Sequence, residues 1–221
     1  MPQVLKAEVR DRILASALRA FARAGYAATT MGDIARDAGM AVANLYRYYP
    51  SKEQLFEAAV PAELVSRFDT LLERSVHAHA HLAGVAQPRD ENAGRELLDF
   101  WIQHRLVVVV LLGRSAGSVH EQFGQRFVAR LTQLSLAEIE RAHPGVLVPP
   151  EARRVLEQIF ENTRHMIGAI LEACEDDAAI RRAVAAFRSY QVAGLEAFAR
   201  WLVAGARPPD GGRAKPSPRR R

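Results

Sequence analysis

The sequence predicts an all-α protein in which an N-terminal three-helix domain with a helix-turn-helix pattern precedes a larger helical domain. Apolar residues recur at steps of three and four along most of the 221 residues, the spacing of one helix face. The breaks in this pattern fall at Gly and Pro, and no turn-bounded alternating run suggests a strand. We expect domains at 1–52 and 53–205, followed by a basic tail at 206–221.

The composition is that of an ordinary globular protein, with 49% apolar and 25% charged residues. No apolar run approaches the roughly 18 residues that span a bilayer, and the charged N-terminus does not resemble a secretory signal. The single cysteine, Cys174, cannot form an internal disulfide. We therefore expect a cytoplasmic protein that is not associated with a membrane.

The net charge of +5 is unevenly distributed. Residues 206–221 hold six Lys or Arg and one Asp, whereas the preceding 205 residues are nearly neutral. The basic character of the chain therefore comes from the tail, so charge alone is weak evidence for nucleic-acid binding. The tail is rich in Pro, Gly and Arg and should be disordered. It either adds non-specific DNA affinity or is inert.

The first helix is predicted over Val9–Ala24, where one face is apolar and the other carries arginines. Gly25 should end this helix. Thr30 is placed to cap a second helix, with Asp33 three residues later in the position of a capping box. Gly39 follows the second helix at a position that favours a left-handed turn.

The third helix is predicted to start after this glycine turn and to end before Pro50, because Val42, Leu45 and Tyr49 have helical spacing. Leu45 and Tyr49 should face inward. Helix, glycine turn and helix within about 20 residues form the helix-turn-helix pattern, whose second helix lies in the DNA major groove.

The stretch from residue 30 to residue 56, TMGDIARDAGMAVANLYRYYPSKEQLF, resembles the DNA-binding signature of the TetR family of bacterial transcriptional regulators. The resemblance covers roughly Val9–Val60. It implies a homodimer that binds a double-stranded DNA operator and acts as a repressor released by a small, largely apolar inducer. It also implies that the second domain binds this ligand and forms the dimer.

The resemblance also assigns roles in DNA binding. Bases would be approached by Val42, Ala43 and Tyr46, and the backbone by Asn44, Arg47 and Tyr48. Thr30 and Lys52 each stand at the start of a helix, where a phosphate contact is expected on physical grounds. The alternatives are that Thr30 is only a cap and that Lys52 is an ordinary surface lysine. The sequence departs from the family pattern in two respects. Ala41 stands where a Ser or Thr usually caps the recognition helix, and Gly32 and Ala43 offer no side-chain hydrogen bond to a base. Base readout should therefore depend mainly on Tyr46 and Arg47.

The second domain is predicted to be helical throughout. Helical patterns cover Lys52–His81 with an interruption at Pro61, and then Arg95–Leu112, Glu121–Ala142, Glu151–Ala173 and Asp177–Ala204. By resemblance, the helices at 151–173 and 177–204 form the dimer interface as half of a four-helix bundle. The alternative is that these two helices only complete the core of the monomer.

An effector cavity is expected between the helices of the second domain, because aromatic residues there accompany isolated polar groups. The candidate ligand-binding residues are Trp101, His104, Phe123, Phe127, Asn162 and His165. No nucleotide-binding loop, hydrolase or metalloprotease motif is found, so we expect neither an enzyme nor a cofactor. His77, His79 and His81 alternate, but only the first and last would share a helix face, so no metal site is expected.

A second interpretation keeps the DNA-binding domain but not the effector. The chain would then be an architectural or partner-binding helix-turn-helix protein without an inducer. A completely filled second domain would favour this alternative, and a cavity would favour the regulator.

Overall fold

The computed structural model describes residues 2–78 and 92–205. These residues form ten α-helices and a π-helical segment, and they contain no β-strand. The helices are α1 Pro2–Ala24, α2 Met31–Asp37, α3 Val42–Tyr48, α4 Lys52–Ala59, α5 Ala62–Ala78, α6 Ala93–Gln103, α7 Arg105–Val109, α8 Phe123–Ala142, α9 Pro150–Ala173 and α10 Asp177–Gly205, with the π-helical segment Val110–Arg114 following α7. The all-α prediction is confirmed.

The first three helices share a tightly packed core. Ile13 and Phe21 of α1, Ile34 of α2 and Leu45 of α3 are all fully buried. An ion pair at 2.9 Å joins Arg19 of α1 to the end of α2. Burial of these side chains provides the main driving force, since each large apolar side chain contributes roughly 1.5–3 kcal/mol.

The chain turns at Pro61, as the sequence predicts. Helix α4 ends at Ala59, and α5 begins at Ala62. Phe56 of α4 packs edge-on against Phe21 and Tyr26, with ring centroids 5.3 and 4.8 Å apart. The same aromatic contacts therefore hold α4 against α1 and the link that follows it.

A second aromatic cluster joins α5, α6 and α8. Phe68 lies at its centre, 5.7 Å from Phe100, 5.3 Å from Phe123 and 6.0 Å from Phe127 between ring centroids. Helices α8 and α9 then pack against each other and against the π-helical segment.

The predicted single helix over Arg95–Leu112 is interrupted in the structure. Helix α6 ends at Gln103, and His104 adopts φ −112° and ψ 34°, so that α7 starts as a new helix. The valine run, Val107–Val110, is helical and buried, as expected. Beyond it the turns widen into the π-helical segment, where Arg164 of α9 donates a hydrogen bond to the Leu112 carbonyl. A side chain that bonds to a helix carbonyl in this way is a recognised cause of local irregularity.

The last two helices agree closely with the predicted ranges, 151–173 and 177–204. They are antiparallel neighbours separated by a three-residue link. Within α10, Ile180, Ala199 and Leu202 are the only buried residues. Helix α10 is thus the least buried of the long helices relative to its length.

Some expectations concern residues outside the described ranges. These include His79 and His81 of the histidine triplet and the tail at 206–221. His77 is described, and its Nδ1 lies 3.0 Å from a Glu138 carboxylate oxygen. In residues 2–78 and 92–205, no cluster of three potential metal ligands occurs. None of the helices in these ranges has the length and hydropathy required to cross a bilayer.

Candidate DNA-binding helices and internal cavity

The turn between α2 and α3 has the geometry predicted for Gly39. This glycine adopts φ +64°, a left-handed conformation that is strained for other residues. The amide of Ala38 donates to the Ile34 carbonyl, and the amide of Met40 donates to the Ala35 carbonyl. These hydrogen bonds satisfy the terminal carbonyls of α2 and fix the direction in which α3 leaves.

Thr30 caps the N-terminus of α2 in a complete capping box. Its hydroxyl accepts the Asp33 amide at 3.1 Å, and the Asp33 carboxylate accepts the Thr30 amide at 3.1 Å. The hydroxyl also donates to Asp33 Oδ2 at 2.6 Å, and this hydrogen bond lowers the pKa of Asp33. The capping role of Thr30 is confirmed, and a phosphate contact through this hydroxyl would have to replace its bond to Asp33.

Helix α3 separates into two faces. Leu45 is fully buried, whereas 41% of Val42 and 48% of Tyr46 is exposed. Ala43, Asn44 and Arg47 are exposed too, while Tyr48 and Tyr49 are half-buried. Ala41, at the N-cap, makes no side-chain hydrogen bond. The residues that the sequence assigns to base contacts therefore lie on the exposed face, as a recognition helix requires.

Lys52 has internal partners that the sequence did not indicate. Its ammonium donates to the carbonyls of Tyr26 and Thr29 at 2.9 and 3.0 Å and lies 4.3 Å from the centre of the Tyr26 ring. It therefore ties the start of α4 to the link between α1 and α2. An ammonium has three N–H donors, so one remains for a phosphate.

Ser51 caps α4 by accepting the Gln54 amide at 3.2 Å. Helix α4 thus has a capped N-terminus, and its first residue carries a positive charge. The Lys52 charge and the helix dipole favour an anion near this point, although the Ser51 cap already occupies the Gln54 amide.

The geometry of these helices agrees with the comparisons to known proteins. Residues 13–59 match the family model of the bacterial regulatory proteins of the tetR family. The chain carries the DNA-binding domain of the TetR family. The predicted resemblance is thereby confirmed for this part of the molecule.

Named relatives match the same region. The HTH-type transcriptional repressor KstR of Mycobacterium tuberculosis is 41% identical over 73 residues, which are 33% of this chain and 33% of the relative. KstR of Mycolicibacterium smegmatis is 39% identical over 71 residues, 32% of this chain and 34% of the relative. The chain thus aligns with about a third of the length of these relatives. Their names indicate a transcriptional regulator rather than an enzyme.

Solved structures resemble the chain over more of its length. A TetR family transcriptional regulator from Chloroflexus aurantiacus J-10-FL is 20% identical, covers 90% of this chain and 93% of its own, and has a TM-score of 0.45. NalD, the secondary repressor of the MexAB-OprM efflux pump in Pseudomonas aeruginosa, is 19% identical, covers 83% of this chain and 95% of its own, and has a TM-score of 0.37.

Outside the TetR-family domain, the described residues line a partly open cavity of about 670 Å³ between α5, α6, α8, α9 and α10. Its wall is mostly apolar and includes Leu97, Leu131, Phe160 and Leu195. A volume in this range is typical of small-molecule sites. The cavity favours the regulator over the architectural alternative, which predicts a filled second domain.

Of the six candidate ligand-binding residues, the structure places two in the cavity wall, Trp101 and Phe127. The other four lie elsewhere. Phe123 is 1% exposed within the aromatic cluster around Phe68. His104 stacks on Phe100 at 4.8 Å between ring centroids. Packing against the neighbouring aromatic rings therefore places these two side chains outside the cavity wall.

Asn162 and His165 lie outside the cavity wall for a different reason. Both are on α9 and are exposed, whereas the cavity is lined by Thr163 and Ile167 of the same helix. Helical periodicity identifies the apolar face of α9. Thr163 lies on that face, whereas Asn162 and His165 do not. Thr163 could have been found from its place on that apolar face, four residues before Ile167.

The contribution of α10 to the cavity is not predicted by the sequence. Gln191 of α10 donates to the Thr163 hydroxyl at 2.6 Å across the space. Val184, Phe187 and Phe198 complete an inward stripe on the same helix. With Gln191 included, the steps of three, four and seven identify a helix face, but the sequence alone does not tell a cavity wall from a packed core.

Two buried nitrogens near the end of α6, Trp101 Nε1 and His104 Nε2, have no hydrogen-bond partner within the described residues. Burial lowers the pKa of His104, and the Arg67 guanidinium lowers it further. A neutral imidazole carries one nitrogen without a proton, so a neutral His104 is consistent with an Nε2 atom that has no hydrogen-bond partner.

One main-chain hydrogen bond joins the DNA-binding helices to the rest of the described structure. The amide of Tyr26 donates to the Arg114 carbonyl at 2.8 Å, at the end of the π-helical segment. The Tyr26 hydroxyl donates to the Glu53 carboxylate at 3.0 Å. Burial, together with this carboxylate, raises the pKa of Tyr26 to about 12. Tyr26 therefore lies where α1, α4 and the second domain meet.

The outer faces of α9 and α10 are unusually apolar for exposed surfaces. On α10, an exposed stripe of Ala186, Tyr190, Ala197, Trp201 and Ala204 faces away from the cavity. Tyr190 is 78% exposed and Trp201 is 58% exposed. On α9, Val155 and Met166 are also about half exposed. Contiguous exposed apolar surface of this kind usually marks an interaction site.

Proposed function

We propose that this chain is a homodimeric, ligand-responsive transcriptional repressor that binds a double-stranded DNA operator and is released by a small, largely apolar effector. One observation carries the proposal. The chain combines a capped helix-turn-helix, whose α3 is exposed at the predicted contact positions, with an apolar cavity of about 670 Å³. Residues 1–52 would then form the DNA-binding domain and residues 53–205 the effector and dimerisation domain.

In this proposal, α3 enters the major groove. Val42, Ala43 and Tyr46 approach the base edges, and Asn44, Arg47 and Tyr48 lie nearer the backbone. Val42 and Ala43 offer only apolar contact, which suits a thymine methyl group. Lys52 contacts a phosphate through its remaining N–H. Thr30 contacts a second phosphate only if its hydroxyl turns away from Asp33, so we expect its contribution to be smaller.

The proposed dimer uses the outer faces of α9 and α10. The stripe that contains Tyr190 and Trp201 has the three-and-four spacing of a helix-bundle seam. Two such pairs of helices would form a four-helix bundle and place two α3 helices about one DNA turn apart, as a dimeric reader of two half-sites needs.

Regulation follows from two conformations of the dimer. An effector that binds more tightly to the conformation in which the α3 helices are wrongly spaced weakens operator binding by that difference in affinity. A coupling of about 1–3 kcal/mol corresponds to a change of roughly 5- to 150-fold.

The DNA-binding proposal is tested by selecting bound sequences from a random DNA pool with the full-length protein. We expect an inverted repeat whose half-sites are separated by about one helical turn or a multiple of it. Tyr46→Phe should relax the preference at one or two positions by about 1 kcal/mol or less. Failure to enrich any sequence, with a protein that is folded by circular dichroism, would contradict the proposal.

The dimer is tested by light scattering on Tyr190→Glu and Trp201→Glu. Each should shift the protein toward a monomer and weaken operator binding at least tenfold, since a buried charge opposes association. Val119→Glu provides the matched control, because Val119 is also an exposed apolar residue but lies outside α9 and α10. Monomeric behaviour of the unmodified chain would overturn this interface.

A further inference from the structure

Helix α10 covers the cavity and packs against the rest of the domain mainly at its two ends. Ile180 is buried near its start, and Ala199 and Leu202 are buried near its end. Between them, Val184, Phe187, Gln191, Leu195 and Phe198 line the cavity and are only partly buried. The space below the middle of α10 is therefore a gap between helices that pack well at both ends.

The gap is long and narrow. Its wall runs along α8 from Phe127 to Ile139 and along α9 from Leu156 to Ile167. At 1.5 Å per residue, these stretches are about 18 and 17 Å long. A sphere of 670 Å³ would be only about 11 Å across. An occupant that fills this space must be elongated.

The charged side chains of the wall already have partners. Glu138 is flanked by His77 and Arg141, Arg181 pairs with Asp99 at 2.7 Å, and Glu196 lies 3.9 Å from Arg200. Arg188 also has an interaction of its own. An ionic group on the occupant would lose its hydration without gaining an uncommitted opposite charge. The wall therefore favours a neutral occupant.

A polar pair lies near the middle of the gap. Gln191 donates to Thr163, and the Thr163 hydroxyl donates to the Ile159 carbonyl at 2.8 Å. The bond to Thr163 uses the Gln191 amide N–H and leaves the amide oxygen, an acceptor with two lone pairs, outside that bond. This oxygen is an acceptor in an otherwise apolar stretch of wall. A hydroxyl or amide N–H of an occupant would satisfy it.

We propose that the effector is a neutral, elongated and mainly apolar molecule that lies under α10 and donates a hydrogen bond to Gln191. This inference rests on the proposed function, because it names the effector class of the same cavity. Its length would match the cavity walls of α8 and α9, and its one polar group would meet the Thr163–Gln191 pair.

Three 12-carbon probes separate shape from charge: 1-dodecanol, cyclododecanol and dodecanoate. Trp101 lines the cavity and Trp201 is the only other tryptophan, so Trp201→Phe leaves a single reporter of occupancy. We expect 1-dodecanol to change Trp101 emission with an affinity at least tenfold higher than that of either other probe. Equal or tighter binding of cyclododecanol overturns the elongated shape, and equal or tighter binding of dodecanoate overturns neutrality.

Matched variants locate the probe. Ser135→Phe places a ring in the cavity and should reduce 1-dodecanol affinity at least tenfold. Ala137→Phe, on an exposed position of the same helix, should leave it unchanged. Gln191→Leu should reduce 1-dodecanol affinity about threefold to tenfold, because one hydrogen bond is lost. Unchanged affinity in Ser135→Phe would place the probe outside the cavity and overturn the inference.

Operator binding by the unmodified protein separates this inference from the proposed function, because Trp201→Phe alters the proposed dimer interface. If no probe binds but the selected operator is still bound, the effector class is wrong and the DNA-binding function stands. If 1-dodecanol binds as expected but leaves operator affinity unchanged, the effector class stands and release by the cavity occupant is wrong. Titration of operator binding with and without saturating 1-dodecanol gives this readout.

Discussion

The DNA-binding helices α1–α4 and helix α10 differ in how far their side chains are buried. In α1–α4, the residues that join the helices, such as Ile13, Phe21 and Leu45, are fully buried, and α2 and α4 have side-chain caps. Of the 29 residues of α10, only three are buried. The part of the molecule that must present a fixed surface is closely packed. The part that covers the cavity is left with room to adjust.

The largest expected effect of this contrast is on the free energy of unfolding, when each of two phenylalanines is replaced by alanine. Phe56→Ala removes a ring that is 1% exposed and contacts Phe21 and Tyr26, so we expect a loss of about 3–5 kcal/mol in the free energy of unfolding. Phe187→Ala removes a half-buried ring beside an existing cavity and should cost about 1 kcal/mol. Urea unfolding measures both. Equal losses would show that α10 is as tightly held as α4.

Lys52→Met should have the next largest effect. It removes two hydrogen bonds from a charged donor to the carbonyls of Tyr26 and Thr29, so the free energy of unfolding should fall by about 1–3 kcal/mol. If the third N–H contacts a phosphate, binding to all DNA sequences should weaken, and the slope of log affinity against log salt should fall by about 1. A stability loss with an unchanged salt slope would restrict Lys52 to its internal role.

Tyr26→Phe tests the junction between the two halves and should cost about 1 kcal/mol at neutral pH, because the hydrogen bond to Glu53 is lost. The pKa of Tyr26 is raised to about 12 in the folded protein, so between pH 10 and 12 the unfolded chain loses this proton first. The free energy of unfolding should therefore fall with rising pH in this window, and more steeply in the unmodified protein than in Tyr26→Phe. Unfolding curves at pH 9 to 12 measure the difference, and equal slopes in the two proteins would contradict this role of Tyr26.

The smallest predicted effect is a gain. Ala41 gives α3 no side-chain cap, so Ala41→Ser should stabilise the protein by about 0.5–1 kcal/mol. Ala137→Ser, within an exposed turn of α8, should instead destabilise it slightly, since Ser is a poorer helix former than Ala. Thermal unfolding compares the two. No gain in Ala41→Ser would show that α3 is already fixed by the packing of Leu45.

Much of the fold is predictable from local signals. Gly39, Pro61 and the alternation of Leu45 with exposed positions are determined by residues within a few positions in sequence, and the structure agrees with each prediction. The break at His104 and the π-helical segment are different. They depend on contacts such as that of Arg164 with the Leu112 carbonyl, 52 residues away in sequence. Local periodicity contains no information about such a contact.

The same distinction explains the partial success at the cavity. Trp101 and Phe127 lie on helix faces that periodicity already directs inward. Gln191 enters the cavity wall only because α10 folds back over α9, and Phe123 leaves it because Phe68 packs against the ring. The choice between cavity and core is made by helix packing across the domain, which a single sequence does not specify.

The hydrogen bond between the Tyr26 amide and the Arg114 carbonyl has an evolutionary consequence. It joins backbone to backbone, so it requires only that the chain follow the same path at both positions, and any residue except proline can supply the amide. The side chains exposed on α3 and those that line the cavity can therefore change without removing this hydrogen bond. A new DNA specificity could be paired with an old sensor, by mutation or by recombination near Pro61, without rebuilding this contact.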